Sequence, residues 1–420
     1  MKLWVGILGI GGIAASLAKP PAAEPAYTFF VTGDANGYLA PCGCSYPMMG
    51  GAKRRATAIR DLGEKGRTIV LENGGFIKDI GRQDEIKSET FAQLHDSMVG
   101  TAINLCFSEA KLGLGNLAAL SQLSKGRLTS LSVPKSPVLD IPPLIKKGNF
   151  AIAGASEQAE AIAATLGESA TPINQAVEKF VSEAQAQGLY PVLMLDGNRQ
   201  AALRLAQKFP ALALIQYKSV GHPPEKLEME GNTALVTPGD GGKVLVKLTW
   251  KDGKFGSYLP IDLGPNFKDD PDATRLYKAY LKRVSDEHLL EKLPRTSKDE
   301  YVGSKACFSC HAQAADVWKH SKHAGALATL EHEGHDRDPD CVSCHVVGLD
   351  SLNGFVSRMK TPDLASVGCE SCHGAGKAHS AAPKLNPMPK IGEKACMSCH
   401  RPENSPRFDF STYWAKIKHK

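Results

Sequence analysis

Cys-x-x-Cys-His occurs four times in the last third of this 420-residue chain, and no other feature constrains its fold as strongly. The copies are Cys307-Phe308-Ser309-Cys310-His311, Cys341-Val342-Ser343-Cys344-His345, Cys369-Glu370-Ser371-Cys372-His373 and Cys396-Met397-Ser398-Cys399-His400. On a helical turn, residues three and four apart share a face. Both thiols therefore reach one edge of a flat ligand while the adjoining imidazole points at its centre. That is the attachment signature of c-type haem. Covalent attachment holds the cofactor without a large apolar pocket, so residues 301–420 have room for four haems.

Rival uses of the same residues fit less well. A zinc ribbon spaces its Cys-x-x-Cys pairs about 15–20 residues apart. The gaps here, Cys310 to Cys341, Cys344 to Cys369 and Cys372 to Cys396, are longer. Zinc and a disulfide framework would both leave idle the histidine that follows every pair. The motifs use eight of the eleven cysteines, and the segment holds ten of the thirteen histidines. Six of those ten lie outside the motifs: His320, His323, His332, His335, His379 and His419. They are the candidates for a sixth iron ligand.

At the other end, MKLWVGILGIGGIAASLA carries one lysine, an apolar stretch and small residues before Lys19-Pro20-Pro21. This is the layout of a cleaved export signal over residues 1–23, too short for a comfortable membrane span. Gly9, Gly11 and Ala14 also fit G-x-G-x-x-A, but Pro20-Pro21 stops the helix that a dinucleotide site requires. The mature chain is expected to be exported, periplasmic or outer-surface, and without a transmembrane segment. Its formal net charge of +6 reads as spread along the chain rather than gathered in a basic arm, which argues against nucleic acid as a partner.

Residues 26–264 alternate short apolar runs with amphipathic stretches. TFFVTGD, TIVLENGG, AINLC, YPVLMLDG and ALALI read as buried strands, and GAKRRATAIRDLG, TPINQAVEKFVSEAQAQG and RQAALRLAQKF as helices. The alternation implies an α/β layered domain. NTALVTPGDGGKVLVKLTWKDGKFGSY reads as a strand pair closing it. Residues 265–300 read as a helical linker, and 301–420 as a mostly α, loop-rich multihaem domain.

KACFSCHAQAADVWKHSKHAGAL, CVSCHVVG, VGCESCHGAG and the closing CMSCH resemble the tetrahaem cytochrome c-554 family. The resemblance implies proximal ligands His311, His345, His373 and His400. It also implies distal His379 for the first haem, His323 for the third and His419 for the fourth. The second haem of that family can lack a protein sixth ligand; His335 or His332, ahead of Cys341, would cap it. The implied role is electron transfer with other redox proteins or cytochromes. An open haem at Cys341 would instead suit an oxidoreductase acting on a small nitrogen or oxygen species.

The order and spacing of residues 26–264 resemble the metallophosphoesterase domain of secreted 5′-nucleotidases. That family sets two metals on Asp-x-His, Gly-Asp, Asn-His-Asp/Glu and Gly-His-x-His elements. Here the first reads Asp34-Ala35-Asn36, Phe76 falls where the bridging Asp belongs, Phe107-Ser108-Glu109 replaces the third, and only Gly221-His222 remains of the last. No dinuclear centre, and so no active phosphoesterase, is expected from such a set. Cys42, Cys44 and Cys106 fall near the same pocket beside Arg54 and Arg55. They suggest a thiol redox or soft-metal site, or more simply a structural disulfide such as Cys44 to Cys106.

Overall fold

The computed structural model describes residues 26–41, 47–133 and 139–419. The expected export signal, Cys42 and Cys44 lie outside them. Strands β1 (Tyr27–Thr32), β2 (Thr68–Glu72), β3 (Ala102–Asn104) and β4 (Leu128–Thr129) pair in parallel. A second sheet has the order β5-β6-β7-β8-β10-β9. Its strands are β5 (Ile145–Lys147), β6 (Phe150–Ser156), β7 (Tyr190–Asn198), β8 (Leu214–Lys218), β9 (Glu228–Glu230) and β10 (Thr233–Val236). The chain then returns to the first sheet as a hairpin, β11 (Val244–Lys251) and β12 (Lys254–Asp262), with β11 antiparallel to β1.

Side-chain alternation along the strands explains the layering. Phe29 and Val31 of β1 face Ile152 of β6 and Met194 of β7 in a core between the sheets. Phe150 anchors that core with edge-on contacts to Tyr27, Phe29 and Trp250 at 5.3, 4.9 and 5.2 Å. Phe30, one residue on, turns to the opposite face, under the helices Ala52–Leu62, Arg82–Ser97 and Leu114–Leu123. Leu193 and Leu195 likewise turn outward beneath the helices Ile173–Ala186 and Arg199–Lys208. The result is a four-layer α/β/β/α stack.

Two readings from sequence need correction. The span expected as one strand pair supplies three strands: β10 joins the second sheet, and only β11 and β12 form the hairpin. The fully buried β6, FAIAGAS, is a strand that periodicity did not indicate, because its alanines and glycine carry little β preference.

The linker helix spans Pro271–Asp286 and is capped by the Asp270 carboxylate, which accepts from the N–H groups of Asp272 and Ala273. Its Tyr277, Tyr280 and Val284 are buried in the core under the first sheet. Beyond residue 300 the chain is short helices and loops around a small core that includes Leu330, Val342, Val347 and Phe355. That core ends near Leu364. Among the described residues from Lys377 to His419, Ser405 alone is buried.

Candidate functional site

Each motif begins on a helical turn: Ser304–Cys307, Pro339–Val342, Cys369–His373 and Glu393–Met397. Two buried carboxylates hold the first three of these turns in place. Glu370, inside the third motif, accepts from the backbone N–H groups of Val302, Gly303 and Gly376 at 3.0, 2.7 and 2.7 Å. It thereby ties the entry of the first motif to the exit of the third. Asp338 caps the second motif's helix by accepting from Asp340 N at 3.0 Å. It also accepts from Gln83 (2.7 Å) and Tyr280 (3.0 Å), so the α/β layers grip this motif directly. The Lys87–Asp340 ion pair adds to that junction.

Three motif histidines face a histidine from outside the motifs. Ring centres are 6.2 Å apart for His311 and His379, 6.3 Å for His323 and His400, and 5.9 Å for His373 and His419. Metal–imidazole bonds of about 2 Å, with each nitrogen about 1 Å from its ring centre, separate two axial rings by about 6 Å. The residues present therefore fit an iron between each pair. Burial holds His323, His373 and His400 below the usual imidazole range, so they present the neutral, ligating form.

The facing rings differ in part from what the resemblance implied. His379 faces the first motif, whereas His323 faces the fourth and His419 the third, where the resemblance implied the third haem for His323 and the fourth for His419. Trp318 Nε1 donates to the Val367 carbonyl at 2.8 Å, and Val367 N donates to the His323 carbonyl at 3.2 Å. This tie fixes the loop that carries His323. Among the described residues, no imidazole stacks across from His345, whose Nδ1 lies 2.7 Å from the Ala326 carbonyl. His335 instead turns to Tyr277 (3.3 Å), and His332 and His320 are exposed beside Glu333 and Asp316. Two thiol contacts bridge the motifs, Cys307 with Cys369 and Cys344 with Cys399.

In the α/β layers, the strand ends converge on a buried charge cluster. Lys218 Nζ sits 3.2 Å from Asp34 and 2.8 Å from Asp196. Burial would raise the Asp196 carboxyl, but the Lys218 charge and hydrogen bond outweigh it and hold it low. Burial dominates at Asp34 and Glu72, each pushed up to about 7 despite Lys218 and Arg55. Glu109 is spent on loop backbone, accepting from Phe76 N at 2.7 Å. Gly74 and Gly75 shape that loop at φ 68° and 69°; a Cβ on Gly75 would lie 2.5 Å from Asp34 Oδ1. Two carboxylates bridged by an ammonium make an ion pair, not the donor set of a metal pair. His222 is exposed and pairs with Asp262 at 3.1 Å.

Both alternatives raised for the cysteines, a reactive thiolate and a disulfide such as Cys44 to Cys106, need correction at Cys106. Cys106 is a free, fully buried thiol that donates to the Asn73 carbonyl at 2.8 Å. Burial, with Asp196 adding, pushes its pKa well up. Arg55 pairs with Glu72 at 3.2 Å, and Arg54 bonds the backbone carbonyl of Leu263 at 3.3 Å. The two cations expected beside the sulfur are thus engaged elsewhere.

The reading of charge is corrected too. Residues 377–420 hold nine Lys and Arg against three Asp and Glu, so the whole excess of +6 falls in this final segment.

The motif-bearing region resembles c-type cytochromes: residues 306–374 match the family described as "Cytochrome c554 and c-prime". Covalently bound haem c is the cofactor that this match supports. The chain is 30% identical over 134 residues to cytochrome c-554 of Nitrosomonas europaea, 24% of this chain and 57% of that protein. It is 28% identical over 87 residues to the C-type polyheme cytochrome OmcB of Geobacter sulfurreducens, 20% of this chain and 12% of that one. The chain thus spans little more than half of the first relative and a small part of the second.

In structure, the chain is similar to the 5′-nucleotidase precursor of Thermus thermophilus, with TM-score 0.51, 17% identity, and 74% and 68% of the two chains covered. It is also similar to the NAD nucleotidase of Haemophilus influenzae, with TM-score 0.51, 14% identity, and 68% and 71% covered. These likenesses establish the 5′-nucleotidase-like α/β fold. Among the described residues, no helix is long and apolar enough to cross a membrane.

Proposed function

We propose that this chain is an exported electron carrier with four covalently bound haems, passing electrons between redox proteins of the cell envelope. The observation that carries the reading is the set of three facing histidine pairs, each joining a motif histidine to one from elsewhere at about the separation an iron between two imidazoles requires. When bound, haem supplies a reversible one-electron couple whose potential is set by its axial ligands and burial. The chain's own part would be to present a pair of imidazoles to each of three haems and to hold the first three motifs in place through Glu370 and Asp338. In this reading His311 with His379, His373 with His419, and His400 with His323 are the axial pairs. The α/β layers serve as a scaffold that grips the second motif, their phosphoesterase chemistry replaced by the Lys218 ion pair. The test is to count haems by mass and spin state in the purified holoprotein. Four haems, at least three of them low-spin, are expected; a mostly high-spin ferric spectrum refutes the carrier.

One observation favours a second reading. His345 has no facing imidazole among the described residues, so a haem at Cys341 and Cys344 would keep an open position. A small nitrogen or oxygen species would bind and be reduced there. Cyanide or nitric oxide binding to one haem of the resting protein supports this reading; no binding removes it.

A further inference from the structure

The segment from Lys377 onward combines three features. It carries the entire net charge. Lys384, Lys390, Lys394, Arg401, Arg407 and Lys418 are exposed and, among the described residues, have no carboxylate partner, whereas Lys377 pairs with Glu300. Amid these cations stand Leu385, 83% exposed, and Met397, 37% exposed, the latter inside the fourth motif. Lys394 and Met397, three apart on one helical turn, share a face. The segment is also a thin cover: it contributes His379, His400 and His419 to the three ring pairs, yet Ser405 is its sole buried residue among those described.

We infer that this cover is the docking face for an acidic redox protein, which binds weakly through charge, with the exposed side chains of Leu385 and Met397 among the cations adding apolar contact. Redox encounters use small interfaces, and opposite charge steers them and raises the rate of association. The absence of a long amphipathic helix in the segment, and the ring pairs directly beneath it, favour a redox protein over an anionic membrane surface. In the encounter one electron leaves the partner's cofactor and one haem iron is reduced; no proton or group is transferred. The inference rests on the carrier reading above.

The test uses haem-loaded protein and a quadruple variant, K384E/K390E/K394E/R407E. A small acidic flavodoxin and photoreduced lumiflavin, a neutral reductant, serve as donors in stopped-flow measurements of haem reduction. The flavodoxin rate constant of the wild type should fall as salt is added, and the variant should be slower by about tenfold or more at low salt. The lumiflavin rate should be equal in both. Equal flavodoxin rates overturn the docking face while leaving the carrier reading intact. Haems that lumiflavin cannot reduce overturn the carrier reading itself. Charge-dependent sedimentation with phosphatidylglycerol vesicles, alongside unchanged flavodoxin rates, assigns the face to membrane instead and also overturns the proposal.

Discussion

Replacing Lys218 with Met isolates the ion pair that stands in the α/β pocket. The ammonium is 3.2 Å from Asp34 and 2.8 Å from Asp196, and both carboxylates are nearly sealed from water. Removing one partner of a buried pair costs about 3–5 kcal/mol. The Lys218 side chain remains 26% exposed, so solvent screens part of this and the lower end, about 3 kcal/mol, is expected near pH 8.

The pH profile sharpens the test. Asp34 and Glu72 have folded-state values raised to about 7, so each contributes stability that is complete below the ordinary carboxylate range and is lost as pH rises through 7. His95, pushed down to about 3 by burial, runs the opposite way and loses its contribution as pH falls. Subtracting wild type from variant removes the shared Glu72 and His95 contributions. Without Lys218 the Asp34 carboxyl rises further, so the variant keeps losing stability above pH 7 at about 1.4 kcal/mol per pH unit while the wild type levels off.

Urea unfolding followed by far-ultraviolet circular dichroism at pH 6 and pH 8 reads the difference, which should widen with pH. Adding D34N to the variant should recover most of the loss. A penalty under about 1 kcal/mol at both pH values, or parallel pH profiles, refutes the reasoning.

Further outcomes follow from the cytochrome region. On the proposed ligation, H323A, H379A and H419A should each convert one haem from low to high spin, read by electron paramagnetic resonance, with the other haems unchanged. E370A strips three backbone N–H groups of a charged acceptor and should destabilise the region by about 3 kcal/mol or more, with E370Q recovering part, read by thermal loss of the Soret dichroism. D338A removes a helix cap together with the partner of Gln83 and Tyr280; about 2–4 kcal/mol is expected in urea unfolding, and much less for D338N. W318F loses one hydrogen bond to Val367 and should cost about 1 kcal/mol in the same assay.

What could be read from sequence was whatever local spacing dictates. Cys-x-x-Cys-His is a covalent template completed within five residues, so it shows without any knowledge of the fold. The strands at Tyr27–Thr32 and Tyr190–Asn198 likewise announce themselves by apolar runs between turns. The pairing of motif with distal ring is a tertiary matter. His323 and His419 each lie far in sequence from the ring they face, and only packing such as the Trp318–Val367 tie decides between them. Lys218 escaped notice because nothing about a lysine at the end of a strand signals two carboxylates arriving from other strands. Glu370 and Asp338 looked like spacer residues, although Asp338 followed by Pro339 is a legible cap signal. Overall charge hid its own location, since a balanced first 376 residues dilutes a basic tail.

The two thiol contacts between motifs bear on how such a chain is made. Cys307 touches Cys369, and Cys344 touches Cys399, partners that belong to different motifs. A polypeptide that closed around these contacts in an oxidising compartment, before its porphyrins arrived, would join the wrong sulfurs and seal its attachment points against the ligase. On the proposed function, thioether formation would therefore have to come first, on an open chain, with compaction of residues 301–420 following it.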